Sequence, residues 1–322
     1  MKAIVLNAPG AAQNLSIEQR PLPVPALGQV LVKVKAFGLN RSELMTRKGF
    51  SPNVVLPRIL GIECVGEVEN DPSGNLAKGQ KITAFMGGMG RDFDGSYAEY
   101  TLLPAEIVSP FGSALPWEIL GALPEMFQTA YGSLHVALKI AAGEVLLIRG
   151  GTSSVGLLAA QLAKKAGLIV VATTRDASKK GLLLKNGADE VLTDDGKLAE
   201  IISKGFHLKI NKVLELVGTA TLQDSLRCVT AGGTVCMTGM LAEQWSIPEF
   251  SPMEFIPAAV NFTIYDSGQI RIGADLFQTF VKDIENGFLK PAIKRTFSID
   301  DIVAAHQFME TNSGGGKIVV VL

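Results

Sequence analysis

The stretch EVLLIRGGTSSVGLLAAQLAKKAGLIVVATTR, residues 144–175, decides the fold of this chain. It begins with an apolar run of strand length and passes through a turn rich in Gly and Ser at residues 150–156. Apolar residues then recur at helical spacing over residues 155–166, Gly167 ends the helix, and a second apolar run follows. A dinucleotide-binding βαβ unit begins with this order of strand, glycine turn, helix and strand.

The glycine turn reads GTSSVG, with Ser153 at the middle position of the usual three-glycine fingerprint. In such a turn, backbone N–H groups approach a pyrophosphate at the positive end of a helix, so bulky side chains are disfavoured. Glycine-rich turns also join strands to helices in proteins that bind no nucleotide, but the strands predicted on both sides favour a cofactor site. The residues assigned to it are Gly151, Thr152, Ser153, Ser154, Val155 and Gly156.

The end of the second strand predicts which nicotinamide cofactor binds. An NAD site places Asp or Glu there, to accept hydrogen bonds from the ribose 2′-hydroxyl. This chain has Thr174 and Arg175 there, and Lys179 follows. A carboxylate would repel a 2′-phosphate, whereas Arg175 can pair with it in a bidentate way. We therefore expect NADPH rather than NADH; the alternative is that Arg175 and Lys179 belong to a solvated loop.

Composition and charge exclude several classes of function. The 322 residues suffice for two domains, and 47% apolar with 19% charged residues is typical of a compact enzyme. A net charge of −1, with scattered Lys and Arg, gives no electrostatic case for nucleic acid or an anionic membrane. Signal-peptide and membrane-spanning patterns are missing. Three widely spaced cysteines indicate a reducing compartment, so we expect a soluble, cytoplasmic protein.

The pattern of elements predicts an α/β chain with two domains. Residues 1–122 contain short strand-like runs punctuated by Gly and Pro, which suits a mostly β, barrel-like domain. Over residues 123–265, strands alternate with helices, as in a Rossmann-type doubly wound parallel sheet. Residues 266–322 end in a strand that we expect to return to the first domain. Loops at two further strand ends add Val217 and Gly239 to the expected cofactor site.

Several segments resemble one family in their order and spacing. They are VKVKAFGLNRSE (32–43), LGIECVGEV (60–68), GSYAEY (95–100), TAYGSL (129–134), IRGGTSSVG (148–156) and GGGKIVV (314–320). Through them the whole chain resembles the medium-chain dehydrogenase/reductase superfamily, most closely its zinc-independent quinone oxidoreductases, the ζ-crystallin-like branch. The resemblance implies a GroES-like barrel domain, catalytic in the family, beside an NADPH-binding Rossmann domain.

The resemblance also implies that no metal is bound. Zinc-dependent members have Cys where Asn40 stands, His where Ile62 stands, and a third ligand Cys near Glu125; the four-cysteine structural zinc lobe is missing as well. Glu63 and Glu125 alone do not supply the three or four ligands of a tetrahedral zinc ion. Without zinc as a Lewis acid, alcohol oxidation becomes difficult, whereas hydride addition to a quinone or an α,β-unsaturated carbonyl stays feasible.

The same resemblance assigns individual site residues. Asn40 is expected to lie near the nicotinamide and to donate to a carbonyl oxygen, the alternative being a loop Asn that bonds its own backbone. Arg41 is the second catalytic candidate, and it is expected to bind either the substrate or an acidic partner residue. Thr129 and Lys317 are expected beside the cofactor. The alternatives are that Thr129 is an ordinary helix residue and that Lys317 only starts a strand. Glu63 is interpreted as part of a structural hydrogen-bond network.

We therefore expect a zinc-independent, NADPH-dependent oxidoreductase that reduces a quinone, an enone or an alkenal. Two alternatives stay open: an enoyl-thioester reductase, and a nucleotide-binding redox sensor with little turnover. Members of this branch commonly dimerise by joining their sheets edge to edge. The apolar run NFTIY, residues 261–265, predicts a late strand that would tend to pair if it lay at an exposed edge, so we expect a homodimer.

Overall fold

The computed structural model describes residues 1–312 and 314–322. Its internal contacts divide the chain into two compact units. The first unit consists of Met1–Glu125 together with Ile272–Leu322, and the second unit consists of Met126–Arg271. Within the described residues, no helix has the length and apolar character needed to cross a membrane.

The strands and helices follow in chain order. The strands are β1 (Lys2–Leu6), β2 (Leu15–Gln19), β3 (Gln29–Gly38), β4 (Arg58–Ile59), β5 (Glu63–Asn70), β6 (Lys81–Phe85), β7 (Tyr100–Pro104), β8 (Val108–Pro110), β9 (Val145–Arg149), β10 (Ile169–Thr174), β11 (Glu190–Thr193), β12 (Lys212–Glu215), β13 (Thr234–Met237), β14 (Asn261–Ile264), β15 (Ile293–Ser298) and β16 (Lys317–Val321). The α-helices are α1 (Arg41–Lys48), α2 (Trp117–Leu120), α3 (Pro124–Tyr131), α4 (Ser154–Lys165), α5 (Lys180–Lys185), α6 (Leu198–Ser203), α7 (Thr219–Cys228), α8 (Pro252–Phe255), α9 (Ala274–Glu285) and α10 (Ile302–Glu310).

The first unit is built around a seven-stranded sheet in which β3 has a central place. The strand order is β15-β16-β3-β5-β6-β8, with β7 also paired to β3, and a smaller sheet has the order β2-β1-β4. The sequence alternates apolar residues with Lys over residues 32–36, which favours a half-buried strand, and in β3 the side chains of Val32 and Val34 are indeed buried while that of Lys33 is exposed. The last strand, β16, runs antiparallel to β3, with Val320 opposite Phe37. The expectation that this strand rejoins the amino-terminal strands is therefore confirmed.

The second unit is a six-stranded parallel sheet of order β11-β10-β9-β12-β13-β14, with helices between most of its strands. Apolar side chains form a row across it, because Val171, Leu147, Val213 and Val235 lie on neighbouring strands in register and belong to one buried core. All of β9 is buried, as expected for a strand that is covered on both faces. The doubly wound sheet predicted from the sequence is confirmed, and the strand order reverses beside β9, where such sheets bind ligands.

Several elements differ from the sequence-based expectation. The pattern of residues 177–186 favours a single helix, but that helix is interrupted, because Asp176 caps a 3₁₀ turn, Ala177–Lys179, before α5 begins. The sequence SIDD, residues 298–301, resembles a capping box that would open a helix, but Ser298 caps a 3₁₀ turn by accepting from the Asp300 N–H, and α10 starts only at Ile302. The strand β15 was not predicted, because most of its side chains are exposed and show no apolar alternation.

Candidate functional site

The turn between β9 and α4 holds the helix close to the strand edge. A Cβ atom on Gly156 would lie 2.8 Å from the carbonyl oxygens of both Gly150 and Gly151, so no side chain fits there. Gly150 has a φ of +84°, a conformation that favours glycine. Gly150, which directly precedes the fingerprint, is therefore favoured by its backbone conformation, and Gly156, the last glycine of the fingerprint, is required by packing.

Ser153, the departure from the fingerprint, is the N-cap of α4. Its Oγ accepts a hydrogen bond from the Gly156 N–H at 3.0 Å and donates to the Gly150 carbonyl at 2.9 Å. Its backbone is extended, with φ −70°, so a glycine is not needed at this position. The serine supplies a helix cap that glycine lacks, and the turn keeps its shape.

The amino terminus of α4 presents hydrogen-bond donors. Within the described part of the chain, the backbone N–H groups of Thr152, Ser154 and Val155 have no hydrogen-bond acceptor. The helix is 12 residues long and has no acidic residue in its first turn, so its positive end is not neutralised locally. Unpaired N–H groups at such a terminus are a ready site for a phosphate group.

Arg175 directly follows β10 and is exposed. The preceding Thr174 is buried and shapes the turn, since its Oγ1 donates to the Asp176 carbonyl at 3.0 Å and accepts from the Asp176 N–H. The acidic Asp176, which the sequence-based reasoning left out, accepts hydrogen bonds from the N–H and Oγ of Ser178, and these bonds lower the pKa of its carboxyl. Lys179 lies half-buried in the following 3₁₀ turn. The end of β10 thus carries an exposed cation and a carboxylate that is engaged as a cap.

The loops that follow β12 and β13 lie close together. The buried Glu215 accepts hydrogen bonds from the N–H groups of Val217, at 2.7 Å, and Gly218, at 3.1 Å. Burial raises the pKa of its carboxyl. A Cβ atom on Gly239 would lie 2.3 Å from the Leu216 carbonyl oxygen. Val217 and Gly239 therefore belong to neighbouring loops at the carboxyl edge of the sheet.

A buried ion cluster, which sequence reasoning missed, lies at the same edge. Arg149, the last residue of β9, is fully buried and donates to both carboxylate oxygens of Asp194, at 2.8 and 2.9 Å. Its third nitrogen donates to Asp224 at 2.8 Å, and Asp224 also accepts from the Leu198 N–H that begins α6. The cluster ties the ends of β9 and β11 to α6 and α7. The signal in the sequence was an Arg at the end of an otherwise apolar strand.

Thr129 lies in α3, and its carbonyl accepts a hydrogen bond from Ser133 Oγ at 2.6 Å. That hydroxyl is 2.9 Å from Thr238 Oγ1, just after β13. Thr129 is therefore linked through Ser133 to the carboxyl end of the parallel sheet.

In the first unit, Asn40, Glu63 and Lys317 form a polar network. Asn40 is the residue before α1, and its Nδ2 donates to Glu63 Oε1 at 2.8 Å. The Lys317 ammonium, at the start of β16, donates to Asn40 Oδ1 at 2.5 Å and is paired with Glu63 Oε1 at 2.7 Å. The other oxygen of Glu63 accepts from the Glu125 N–H at 2.7 Å. The interpretation of Glu63 as a network residue is confirmed; Lys317, expected beside the cofactor, has its ammonium in this network.

Glu43, in the first turn of α1, is a buried carboxyl beside this network. Burial and the neighbouring Glu63 raise its pKa to about 7. Its Oε1 accepts from the Ile62 N–H at 3.3 Å, while its Oε2 has no hydrogen-bond partner among the described residues. Arg41, on the same helix, donates to Asn312 Oδ1 at 2.5 Å. Sequence reasoning quoted the NRSE segment but overlooked Glu43, whose burial is not visible in the local pattern.

Comparison with known proteins identifies both units. A family model of the alcohol dehydrogenase GroES-like domain matches residues 26–113, and one described as zinc-binding dehydrogenase matches residues 154–282. The mouse quinone oxidoreductase is 29% identical over 340 residues, covering 100% of this chain and 98% of that protein. An acryloyl-coenzyme A reductase from Sulfurisphaera tokodaii is 24% identical, with 99% of each chain covered. The solved structure of Escherichia coli quinone oxidoreductase complexed with NADPH has a TM-score of 0.89 at 21% identity, with 100% of each chain covered.

Zinc, which one of these family descriptions implies, does not fit the residues of this chain. Among residues 1–312 and 314–322, no group of three or more His, Cys, Asp or Glu side chains could hold a metal ion. Asn40 Oδ1 and Glu63 Oε1 both bind the Lys317 ammonium, and Ile62 offers no donor atom. The two domain models nevertheless match residues 26–113 and 154–282, and the mouse quinone oxidoreductase matches along the whole chain. The chain belongs to the medium-chain dehydrogenase/reductase superfamily, in the branch that contains the quinone oxidoreductases.

Proposed function

We propose that the chain is an NADPH-dependent oxidoreductase that reduces a small electron-poor acceptor, a quinone or an α,β-unsaturated carbonyl, without zinc. The observation that carries the proposal is the positive end of α4, with N–H groups of Thr152, Ser154 and Val155 left unpaired among the described residues. The exposed Arg175, one residue beyond β10, adds a cation suited to a 2′-phosphate. The E. coli quinone oxidoreductase, which has the same fold, was solved with NADPH.

The residues divide the work of the reaction between them. The unpaired N–H groups of α4 bind the pyrophosphate, and Arg175 pairs with the 2′-phosphate. NADPH, when bound, supplies the hydride, which adds to the β-carbon of an enone while a proton from solvent completes the reduction. Asn40, whose side chain stays partly exposed, donates a hydrogen bond to the carbonyl oxygen on which negative charge develops.

Titration with NADPH and NADH, followed by nicotinamide fluorescence, tests the cofactor. We expect NADPH to bind at least about tenfold more tightly, a difference of about 1.4 kcal/mol. Arg175→Gln should abolish this preference, whereas Lys180→Gln, an exposed cation on α5, is the matched control and should keep it. Equal affinity for the two cofactors in the wild type would refute the assignment of Arg175. Turnover with a panel of quinones and enones, unchanged by a chelator, then tests the reaction and its independence of zinc.

A second candidate function is the reduction of an enoyl thioester, favoured by the similarity to an acryloyl-coenzyme A reductase. Both candidate functions use the same hydride addition, so only the preferred substrate distinguishes an enoyl-thioester reductase from a quinone or enone reductase. A kcat/KM for acryloyl-coenzyme A far above that for simple enones and quinones would establish the thioester reading. A protein that binds NADPH but oxidises it no faster than a blank with any acceptor would be a nucleotide-binding sensor instead.

We also propose a homodimer formed through β14. This strand lies at the edge of the parallel sheet, with Phe262 37% and Ile264 51% exposed. An apolar edge strand tends to pair with a second strand, and a second copy of the chain supplies one. Light scattering should give twice the monomer mass at micromolar concentration, and Ile264→Lys should halve it.

The buried free thiols suit the cytoplasm, where we place the protein.

A further inference from the structure

Lys317 has a buried ammonium, which is rare for lysine unless the charge is paired. Its side chain is 2% exposed, and its partner Glu63 is 0% exposed. The acceptors of this ammonium come from distant parts of the chain, since Asn40 lies 277 positions earlier in the sequence. The site is built to contain the pair: a Cβ atom on Gly38 would lie 2.2 Å from Lys317 Cε and 2.5 Å from Glu63 Oε1. Glycine at the end of β3 therefore leaves the space that the ion pair occupies.

The two charges fix the orientation of the Asn40 amide. Its Oδ1 faces the Lys317 ammonium and its Nδ2 faces the Glu63 carboxylate. Rotating the amide by half a turn would place the oxygen against the carboxylate and the NH₂ group against the ammonium. Two charge-assisted hydrogen bonds would be replaced by two repulsive contacts. The orientation of this amide is thus set by charge and not only by shape.

One hydrogen of the Asn40 amide is only weakly used inside the protein. The first hydrogen makes the 2.8 Å bond to Glu63. The nearest internal acceptors for the second are the Gly38 carbonyl and Glu43 Oε1, each at 3.4 Å. Distances of this length make weak hydrogen bonds at best. A substrate oxygen is a better acceptor for this hydrogen than either.

We propose that Lys317 is a positioning residue for the reaction and not a ligand of the cofactor. With Glu63 it holds the Asn40 amide so that the second Nδ2 hydrogen serves the carbonyl oxygen of the acceptor. This inference rests on the proposed function, in which Asn40 is the hydrogen-bond donor to that oxygen. It assigns to Lys317 a role that differs from the one expected from the sequence.

The test compares Lys317→Met with the double variant Lys317→Met/Glu63→Gln. In the single variant we expect the NADPH Kd to stay within about twofold, and kcat/KM for an enone to fall by about tenfold or more. Its melting temperature should also fall, because Glu63 is left buried without its counter-ion. In the double variant the melting temperature should recover, since no charge remains, whereas kcat/KM should stay low because nothing orients the amide. Recovery of both quantities would show a merely structural role and overturn the proposal.

Two further outcomes complete the test. A tenfold weaker binding of NADPH by Lys317→Met, with NADH unaffected, would make Lys317 a cofactor ligand and also overturn the proposal. Combining Lys317→Met with Asn40→Ala should lower kcat/KM no further than Asn40→Ala alone, because both changes remove the same interaction. A wild-type protein without turnover would refute the proposed function itself. The side-chain amide resonances of Asn40, assigned with Asn40→Ala, then decide the positioning role: they must shift in Lys317→Met, and unchanged resonances overturn it.

Discussion

Replacing Arg149 by Met should destabilise the second unit strongly. The fully buried guanidinium makes five hydrogen-bond contacts: two with Asp194, from Nε and Nη2, and one each with Asp224, the Ser225 hydroxyl and the Thr221 carbonyl, which share the two N–H groups of Nη1. Met fills a similar volume but leaves these acceptors without their donor. Two carboxylates would then lose their shared counter-ion at the edge of the sheet.

The magnitude follows from the burial and the remaining partners of the two carboxylates. Removing one partner of a buried ion pair costs about 3–5 kcal/mol. The Asp194 side chain is only 7% exposed, which favours the upper part of this range. Asp224 is 21% exposed and keeps the Leu198 N–H as a donor, which limits the loss there. About 4 kcal/mol is a large fraction of the 5–15 kcal/mol that stabilises a typical domain.

Urea unfolding in a Trp117→Phe background, where Trp245 in the second unit is the remaining tryptophan, measures this loss by fluorescence. The exposed Arg175→Met is the matched control and should change the unfolding free energy by less than about 0.5 kcal/mol. Arg149→Met/Asp194→Asn should recover part of the loss, because one orphaned charge is removed with the counter-ion. An unfolding free energy of Arg149→Met within about 0.5 kcal/mol of wild type would refute the view that the cluster holds these strand ends together.

Three other predictions concern single side chains. Burial lowers the pKa of His306 from 6.5 to about 3, so the unfolded chain binds a proton that the folded chain excludes. The contribution of this residue to the unfolding free energy should therefore fall by about 2 kcal/mol between pH 7 and pH 5. A His306→Gln variant whose urea midpoint changes with pH as steeply as that of wild type would contradict this prediction. The pKa of Glu43 is raised from 4.5 to about 7, so the folded chain holds a proton that the unfolded chain releases, and this stabilisation is lost as the pH rises through that window. Glu43→Gln should melt at a higher temperature than wild type at pH 8 and at the same temperature below pH 4.5. Equal melting temperatures at pH 8 would contradict the raised pKa of Glu43. Ser153→Ala should cost about 1 kcal/mol in urea unfolding and Ser153→Gly only a few tenths, because glycine is tolerated at an N-cap. A more than tenfold weaker binding of NADPH by Ser153→Ala would mean that the hydroxyl contacts the cofactor.

The parallel sheet was predictable from the sequence because its information is local. The strand β9 is buried along its whole length, and α4 begins within one residue of the predicted start, since strand, turn and helix each have a distinct residue pattern over a few positions. Ser153 departs from a pattern of residue types but preserves the function of the position, which is to begin a helix.

The two charged clusters could not be predicted, because their members meet only in the folded chain. Arg149 reaches Asp194 across 45 positions and Asp224 across 75. Lys317 reaches Asn40 across 277 positions, so the sequence suggested a place beside the cofactor or at the start of a strand but gave no sign of the internal pairing of its ammonium. Asp176 directly follows Arg175 in the sequence, but its role could not be predicted. Whether a carboxylate caps a turn or faces a ligand depends on the backbone that follows it.

The first unit has a consequence for the order in which the protein can fold during synthesis. Its central strand β3 is made early, whereas its neighbour β16, which carries Lys317, is made after the entire second unit. The second unit, formed by one continuous segment, can fold as soon as that segment leaves the ribosome. The first unit must wait, with the carboxyl end of β3, Ala36–Gly38, unpaired on the side away from β5 and the Glu63 carboxylate without its ammonium. The same late strand closes the sheet and brings in the cation that orients Asn40, so a nascent chain acquires both together.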